Sequence, residues 1–477
     1  MRAAGKPVIA LKVGRTALGA AASAAHTGSL ASSHAAASEF FAQAGIVVVD
    51  DLDELIEACV LFNTVRKPPA GDGLAVINIS GGEVALTCDL GQELGLRLPA
   101  LGEATTRELT AVLPDFATPA NPLDATSAAL ADAQVYECAV HALLRDPAVG
   151  LVAISQDCPA GLSDGAAGGY RRLAQAAAKV DRTTDKPVVF YSNVAGPLHA
   201  VTIEPLRDSQ VPVLQGARPA LIAIRAYLAW HRWTPTPSAR VSGVQVLPAW
   251  HERLASGAAL SENEAKRFLQ DHGVRITRET PAATAQAAVR AAEEIGFPVV
   301  LKVDSPDIAH KSDVGGVALS LHSAAAVAQA FDRILESVAR HRPDAALHGV
   351  VVQEMVTGGV EMIIGSAQHP PFGTGIVVGA GGVLVELLND GVFALAPVDA
   401  ARARQLVGST RASKLLDGYR GSAAADRQAL EAVVVRVSEI AHAYADVVDT
   451  IELNPVAVLR QGHGACALDA LILPRQP

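Results

Sequence analysis

The stretch FPVVLKVDSPDIAHKSDVGGVAL, residues 297–319, decides how the chain is read. It begins as a buried strand that delivers Lys302, runs into a loop carrying His310, Lys311, Ser312 and Asp313, and ends on Gly315 and Gly316. Cations beside flexible backbone are what polyphosphate binding requires. A lone strand lysine is by default a solvated edge charge, so the neighbouring segments must decide.

Downstream, VVVQEMV at 350–356 reads as a second strand ending at Glu354, where the adenine and ribose of a nucleotide would be held. Two more apolar strands follow, with the Gly-rich GAGG at 379–382. DTIELNPVAVL at 449–459 and CALDALILP at 466–474 read as two strands that bring Glu452, Asn454 and Asp469 together when paired. Hard oxygen ligands of this kind suit Mg²⁺ bridging nucleotide phosphates. Upstream, LSENEAKRFLQDHGV at 260–274 has the pattern of an amphipathic helix, with Ser261 and Glu264 spaced as a capping box.

TPTPSARVSGVQVLP at 234–248 is the clearest linker. Before it, LAVINIS from Leu74, GLVAIS at 150–155, PVVFYS at 187–192 and VPVLQ at 211–215 alternate with helical stretches, as βα units do. The turn Ser80-Gly81-Gly82 leads into a helix and offers backbone N–H groups to an anion, though it equally suits a tight strand-to-helix turn. Asn121 and Asp124 of NPLDAT are expected to fix the loop beside it. Residues 1–66 supply only two strand–helix units, PVIALK followed by a Gly- and Ala-rich loop (GRTALGAAASAAHTGSLA) and a helix through 31–43, and GIVVVD with LDELIEACVLFNTV, before the turn-rich Lys67–Gly71. KPVVFYSN at 186–193 echoes KPVIALKV at 6–13, which suggests two related flavodoxin-like domains, the first without its front half.

The whole composition agrees. A chain of 477 residues leads one to expect about three domains. Hydrophobic content of 50% with 18% charged residues excludes wholesale disorder, collagen and a simple coiled coil. The 4% aromatic content suits helices laid closely on parallel strands. A net charge of −10 leaves no global electrostatic footprint for nucleic acid or an anionic membrane. Five widely spaced cysteines without a CxxC pair fit reduced thiols in the cytoplasm, and no apolar stretch is long enough for a transmembrane span.

The Lys-bearing strand, Gly-rich loop, Glu-ended strand and terminal E-x-N-P with a downstream L-D-A together resemble the ATP-grasp fold. The likeness is to the version in the ADP-forming (NDP-forming) acyl-CoA synthetase or acetate–CoA ligase family, relatives of succinyl-CoA synthetase. It covers roughly residues 260–474, and I-A-H-K-S-D-V-G-G-V is its most specific part. KPVIALKVGRT followed by AAHTGSLA resembles the same family's signature around a phosphorylated histidine, which here is His26, followed by Gly28. A largely neutral imidazole near pKa ~6.5 suits attack on a phosphoryl group. His34 lies off the motif and is read as incidental.

The resemblance implies an α/β protein of flavodoxin-like (succinyl-CoA synthetase-like) ligase domains followed by an ATP-grasp domain. Residues 1–66 would be the rear half of one ligase domain with the phosphohistidine loop, 72–233 a second, 234–255 a linker and 256–477 the ATP-grasp domain. It implies an acid–thiol ligase that makes acyl-CoA from a carboxylic acid, CoA and ATP through phosphohistidine and acyl phosphate. Lys302, Lys311, Glu354, Gly315 and Gly316 would hold the nucleotide, and Glu452, Asn454 and Asp469 the Mg²⁺. His310 would relay phosphate to His26, with Gly28 and Ser80–Gly82 as phosphate loops. Position 32 is Ser where the family usually has Gly, and position 25 Ala where it has Ser. The family's CoA-binding domain and front half-domain do not precede Met1, so a CoA-binding partner subunit and a homo- or hetero-oligomer are expected. Two alternatives stand beside this reading: a nucleotide-binding remnant or subunit that needs a separate CoA-binding chain, and another ATP-grasp carboxylate ligase with no use for His26.

Overall fold

The computed structural model describes residues 4–27, 33–127, 130, 132–157, 159–234, 243–305, 307–308, 311–382, 385–388 and 390–476, with only the backbone of 23–27, 386 and 387. The chain divides into two compact units, residues 1–31 with 41–236 and residues 32–40 with 237–477.

The first unit is built on a five-stranded parallel sheet. Its strands lie in the order Leu123–Asp124, Leu74–Asn78, Leu151–Ser155, Val188–Ser192, Val213–Gln215, the flavodoxin-like order in which the first strand lies between the second and third. The three central strands are buried at every residue, because helices cover both faces. Side chains alternate across the sheet. Ala75, Ile77, Val152, Ile154, Val188 and Phe190 share one core with Tyr136, Leu143 and Leu173. Leu74, Val76, Leu151, Ala153, Val189 and Tyr191 share the other with Leu61, Leu221 and Tyr227.

Residues 47–61 do not stand apart from this sheet. Strands Ile9–Leu11 and Val47–Val49 form a two-stranded parallel sheet of their own. Val47, Val49, Ala58 and Leu61 nevertheless lie in the same core as Leu74 and Tyr227. The expected linker at 67–71 is also pinned: Lys67 Nζ contacts the carbonyl and carboxylate of Asp181, and Tyr227 Oη donates to the Lys67 carbonyl at 2.8 Å. The Gly/Ala-rich segment after the first strand, read as a loop, is a helix over Ala17–Thr27. Alanine has the highest helix propensity, and Thr16 Oγ1 accepts from the Gly19 N–H at 3.1 Å to cap the first turn.

The second unit holds two antiparallel sheets. Four strands in the order Val317–Leu321, Val299–Asp304, Gly349–Glu354, Glu279–Ala282 are backed by helices Ala285–Ile295 and Ala324–His341. Val299, Leu301, Val303, Val350 and Val352 face those helices. The alternation therefore puts Lys302, its register partner Val351 and Gln353 on the opposite face. The other sheet runs Val392–Leu395, Gly373–Ala380, Val360–His369, Val448–Val458, Ala465–Ala467, with Ala470–Pro474 also pairing to Val448–Val458. Helix Arg427–Ala443 packs on it. Part of the expected linker belongs to this core, since Pro248–Ala255 is a helix whose Leu254 is fully buried. Residues 235–242 lie outside the described residues. Among the described residues, no helix is long and apolar enough to cross a membrane.

Phe268 is fully buried, with its ring 5.6 Å from Trp250 and 5.0 Å from Tyr444 between centroids. Phe268→Ala should therefore cost the second unit about 3–5 kcal/mol, read from the denaturant midpoint at unchanged m-value.

Candidate functional site

Helix Glu262–Asp271 begins with the capping box expected from the sequence: Ser261 Oγ accepts from the Glu264 N–H at 3.3 Å, and Glu264 Oε2 accepts from the Ser261 N–H at 2.9 Å. That start places Glu262 in the first turn, where the helix dipole favours a carboxylate. Three lysines converge on it. Lys302 Nζ lies 2.7 Å and Lys266 Nζ 2.9 Å from Oε1, and Lys311 Nζ lies 2.8 Å from Oε2. Burial alone would raise the Glu262 carboxyl, but Lys302, Lys266 and Lys311 outweigh it and hold it far below the usual carboxylate range.

The three lysines differ in what else they hold. Lys266 is fully buried and also reaches Glu279 Oε2 at 2.8 Å, Gln353 Oε1 at 3.1 Å and Thr277 Oγ1 at 3.4 Å. Burial would lower its ammonium, but Glu262 and Glu279 together raise it. Lys302 donates to the Leu468 carbonyl at 3.0 Å and to Asp469 Oδ2 at 3.3 Å. Lys311 opens the short turn Lys311–Val314. The glycines after it have a structural duty: Gly315 sits at φ +64, and a side chain on Gly316 would strike Val303 and the Lys311 carbonyl. The Gly316 N–H donates to the Lys311 carbonyl at 2.7 Å, and its own carbonyl accepts from the Val303 N–H at 2.8 Å, fixing Lys311 beside Lys302. His310 lies outside the described residues.

Glu354 ends its strand as expected but is taken up by Arg278, whose N–H donates to Oε1 at 2.9 Å and whose Nε donates to Oε2 at 2.8 Å. Glu452 and Asn454 share one face of Val448–Val458, between the buried Ile451 and Leu453. Asn454 Nδ2 donates to Glu452 Oε1 at 3.4 Å, and the Asn454 N–H donates to the Asp469 carbonyl at 3.3 Å. The expected strand 466–474 is broken at Leu468 and Asp469, which turns Asp469 toward Lys302. Burial raises the Asp469 carboxyl, against the pull of Lys302. Two carboxylates and a carboxamide fit a hard cation that draws its remaining ligands from phosphate and water. Among the described residues no three His, Cys, Asp or Glu side chains gather where they could hold a metal ion. Asn454 Oδ1 also accepts from the Gly382 N–H at 3.1 Å, tying the GAGG loop to the same place.

In the first unit, His26 lies in the last turn of helix Ala17–Thr27, where only the backbone is described, and Gly28 lies outside the described residues. Ser80 caps helix Gly81–Glu93, its Oγ accepting from the Glu83 N–H at 3.4 Å. Neither Gly81 nor Gly82 is demanded by packing: side chains there would meet only Asp124 Oδ2 at 3.6 Å and Ser80 Oγ at 3.7 Å. This open helix start sits at the end of the first strand, beside the sheet's switch point. Burial raises the Glu83 carboxyl, the Ile79 N–H bond opposes this, and Asp157 and Asp124 add to it. Asn121 clamps the loop as expected, accepting from the Val76 N–H at 3.0 Å and donating to the Leu74 and Pro99 carbonyls. Reading the sequence missed Glu262, Lys266, Glu279 and Arg278. Only the i, i+4 spacing of Glu262 and Lys266 gave a local signal.

A family model described as "ATP-grasp domain" matches residues 253–473, and one described as "Succinyl-CoA ligase like flavodoxin domain" matches residues 1–62. The 4-hydroxybutyrate–CoA ligase (ADP-forming) of Nitrosopumilus maritimus is 31% identical over 474 residues, 98% of this chain and 66% of that protein. Acetate–CoA ligase (ADP-forming) I of Archaeoglobus fulgidus is 32% identical over 472 residues, 96% of this chain and 65% of that protein. The beta subunit of acetate–CoA ligase (ADP-forming) II of Pyrococcus furiosus is 37% identical over 230 residues, 48% of this chain and 98% of that subunit. The chain thus spans 65–66% of the length of the curated relatives it matches from end to end.

The depressed Glu262 carboxyl stabilises the fold above its unfolded value of 4.5, and that contribution is lost as pH falls below it. Glu262→Gln should lower stability by about 3–5 kcal/mol at pH 7, because it leaves buried cations short of a partner. Denaturant titrations from pH 7 down to about pH 3 should show the gap to the unsubstituted protein closing, whereas a pH-independent gap would contradict the assignment.

Proposed function

The chain belongs to the ADP-forming acetate–CoA and acyl-CoA ligase family, and from that premise we propose that it carries the phosphoryl-transfer part of an ATP-dependent acid–CoA ligase. The overall reaction is carboxylic acid + CoA + ATP giving acyl-CoA + ADP + phosphate. The observation that carries this reading is the pair Lys302 and Lys311, held side by side by Glu262 with Asp469 at Lys302. A pair of fixed ammonium groups next to hard oxygen donors is what the β- and γ-phosphates of a nucleotide require.

In this reading Lys302 and Lys311 bind the phosphates, and the glycines after Lys311 keep its turn in place. Glu354 holds the ribose end of the nucleotide. Glu452, Asn454 and Asp469 hold Mg²⁺, which when bound supplies charge neutralisation at the phosphates. His310 passes the phosphoryl group on and His26 accepts it, so that a carboxylate can be phosphorylated and then captured by CoA. The open helix start at Ser80–Gly82 receives the anion in the first unit. Residues 1–66 and 72–233 serve as ligase domains, 234–255 as the connection and 256–477 as the ATP-grasp domain. We assign the protein to the cytoplasm, which the absence of paired cysteine spacing supports. A separate CoA-binding subunit is part of the proposal. The end-to-end match to a relative named as a beta subunit favours it.

Incubation with γ-labelled ATP and Mg²⁺ should leave an acid-labile, base-stable label on the protein. Lys302→Met should reduce that label about 10²-fold, as loss of a transition-state cation does, and His26→Ala should confine it to His310, with none passed on to a carboxylate. An overall reaction that His26→Ala leaves unchanged would instead identify a carboxylate ligase without a phosphohistidine, and nucleotide binding with no label would identify a chain that only holds nucleotide.

A further inference from the structure

We propose that Glu262 is an internal stand-in for the nucleotide's phosphates, a positioning residue that holds Lys302 and Lys311 until a polyphosphate displaces it from them. The inference rests on the reading that these two lysines bind the nucleotide. Glu262 spans the cluster, with Oε1 shared by Lys302 and Lys266 and Oε2 facing Lys311. One anion therefore occupies both lysines that a pair of phosphate groups would occupy.

The asymmetry among the lysines makes an exchange feasible. Lys266 is closed off by Glu262, Glu279, Gln353 and Thr277 and has no exposed surface. Lys302 and Lys311 keep 11% of their side-chain surface exposed. When Lys302 and Lys311 turn to phosphate, Lys266 stays with Glu262, so the carboxylate is never left buried without a cation, the situation that makes breaking a buried pair costly. The same carboxylate opposes an incoming anion and limits how tightly ADP is retained.

The test uses the full chain and MgADP, with dissociation constants from calorimetry. Glu262→Gln removes the competitor and should tighten MgADP about fivefold or more. Lys266→Met removes the permanent partner, leaves Glu262 to cling to Lys302 and Lys311, and should weaken MgADP by a similar factor. A purely structural role would make both variants weaken binding together, and that result would overturn the proposal. If Glu262→Gln does not fold, Glu262→Asp, which keeps the charge on Lys266 but retracts it from the other two, must still tighten MgADP; unchanged or weaker binding sinks the idea. Lys302→Met separates the two layers of the argument. If it leaves MgADP binding unaltered, the nucleotide-site reading itself fails; if it weakens binding while Glu262→Gln does not tighten it, only the stand-in role fails.

Discussion

A carboxylate withdrawn from water has to bring its cations with it, and Glu262 shows how much structure that one requirement can organise. Its partners come from three segments, Lys266 one turn further along its own helix, Lys302 from the middle of a strand and Lys311 from the turn beyond that strand, and Lys266 and Lys302 in turn hold Glu279, Gln353 and the Leu468 carbonyl. The two antiparallel sheets of the second unit meet at this cluster. Lys302 belongs to the four-stranded sheet, while Leu468 and Asp469 lie at the break in the strand beside Val448–Val458. Helix Glu262–Asp271 lies between them as a shared anchor, its Phe268 and Leu269 in one core and its first turn among the lysines.

The first unit solves a different problem. A parallel sheet must be covered on both faces, and its strands meet that need by alternating two apolar sets rather than one apolar and one polar set. Three consecutive fully buried strands leave no room for polar side chains until the strands end. Polar groups therefore collect at the carboxyl edge: Ser80, Asp124, Ser155, Asp157 and Asn193 lie just at or beyond strand ends, with Asp157 accepting from Ser192 and from the Asn193 N–H. At the end of the first of these strands Gly81 and Gly82 leave the backbone uncrowded.

Much of this was legible in the sequence because it is local. Strand runs such as LAVIN and VVLKV, the Ser261 capping box and the turn glycines depend on neighbours a few residues away, and so does the lysine spacing around the 297–319 stretch. The partnership of Glu262 with Lys302 spans 40 residues and that of Lys302 with Asp469 spans 167, so no periodicity carries them. The loop expected around residues 17–27 shows the converse error. Glycine suggested a loop, but the alanines that outnumber it set the local preference, and a threonine cap completed the helix. At 67–71 proline and glycine mark a turn but do not tell whether the chain on either side shares a core, as Val47, Ala58 and Leu61 do with Leu74.

The charge count at the cluster shows where an anion can gain. Lys266, Lys302 and Lys311 face Glu262, Glu279 and Asp469, three charges against three, so the site offers a phosphate no net attraction until a partner changes. Glu279 is committed to Lys266 in the buried half, and Glu262 cannot leave the first turn of its helix. Asp469 differs: its side chain is 40% exposed, it sits on a break in a strand, and it is backbone-paired to Asn454 next to Glu452. A hard cation taken up at those three side chains would draw Asp469 from Lys302, and the excess positive charge would then appear at Lys302 and Lys311. Metal and nucleotide are therefore coupled through one shared carboxylate on the proposed reading, and the lysines become attractive to phosphate at the end of the site where the metal's ligands stand.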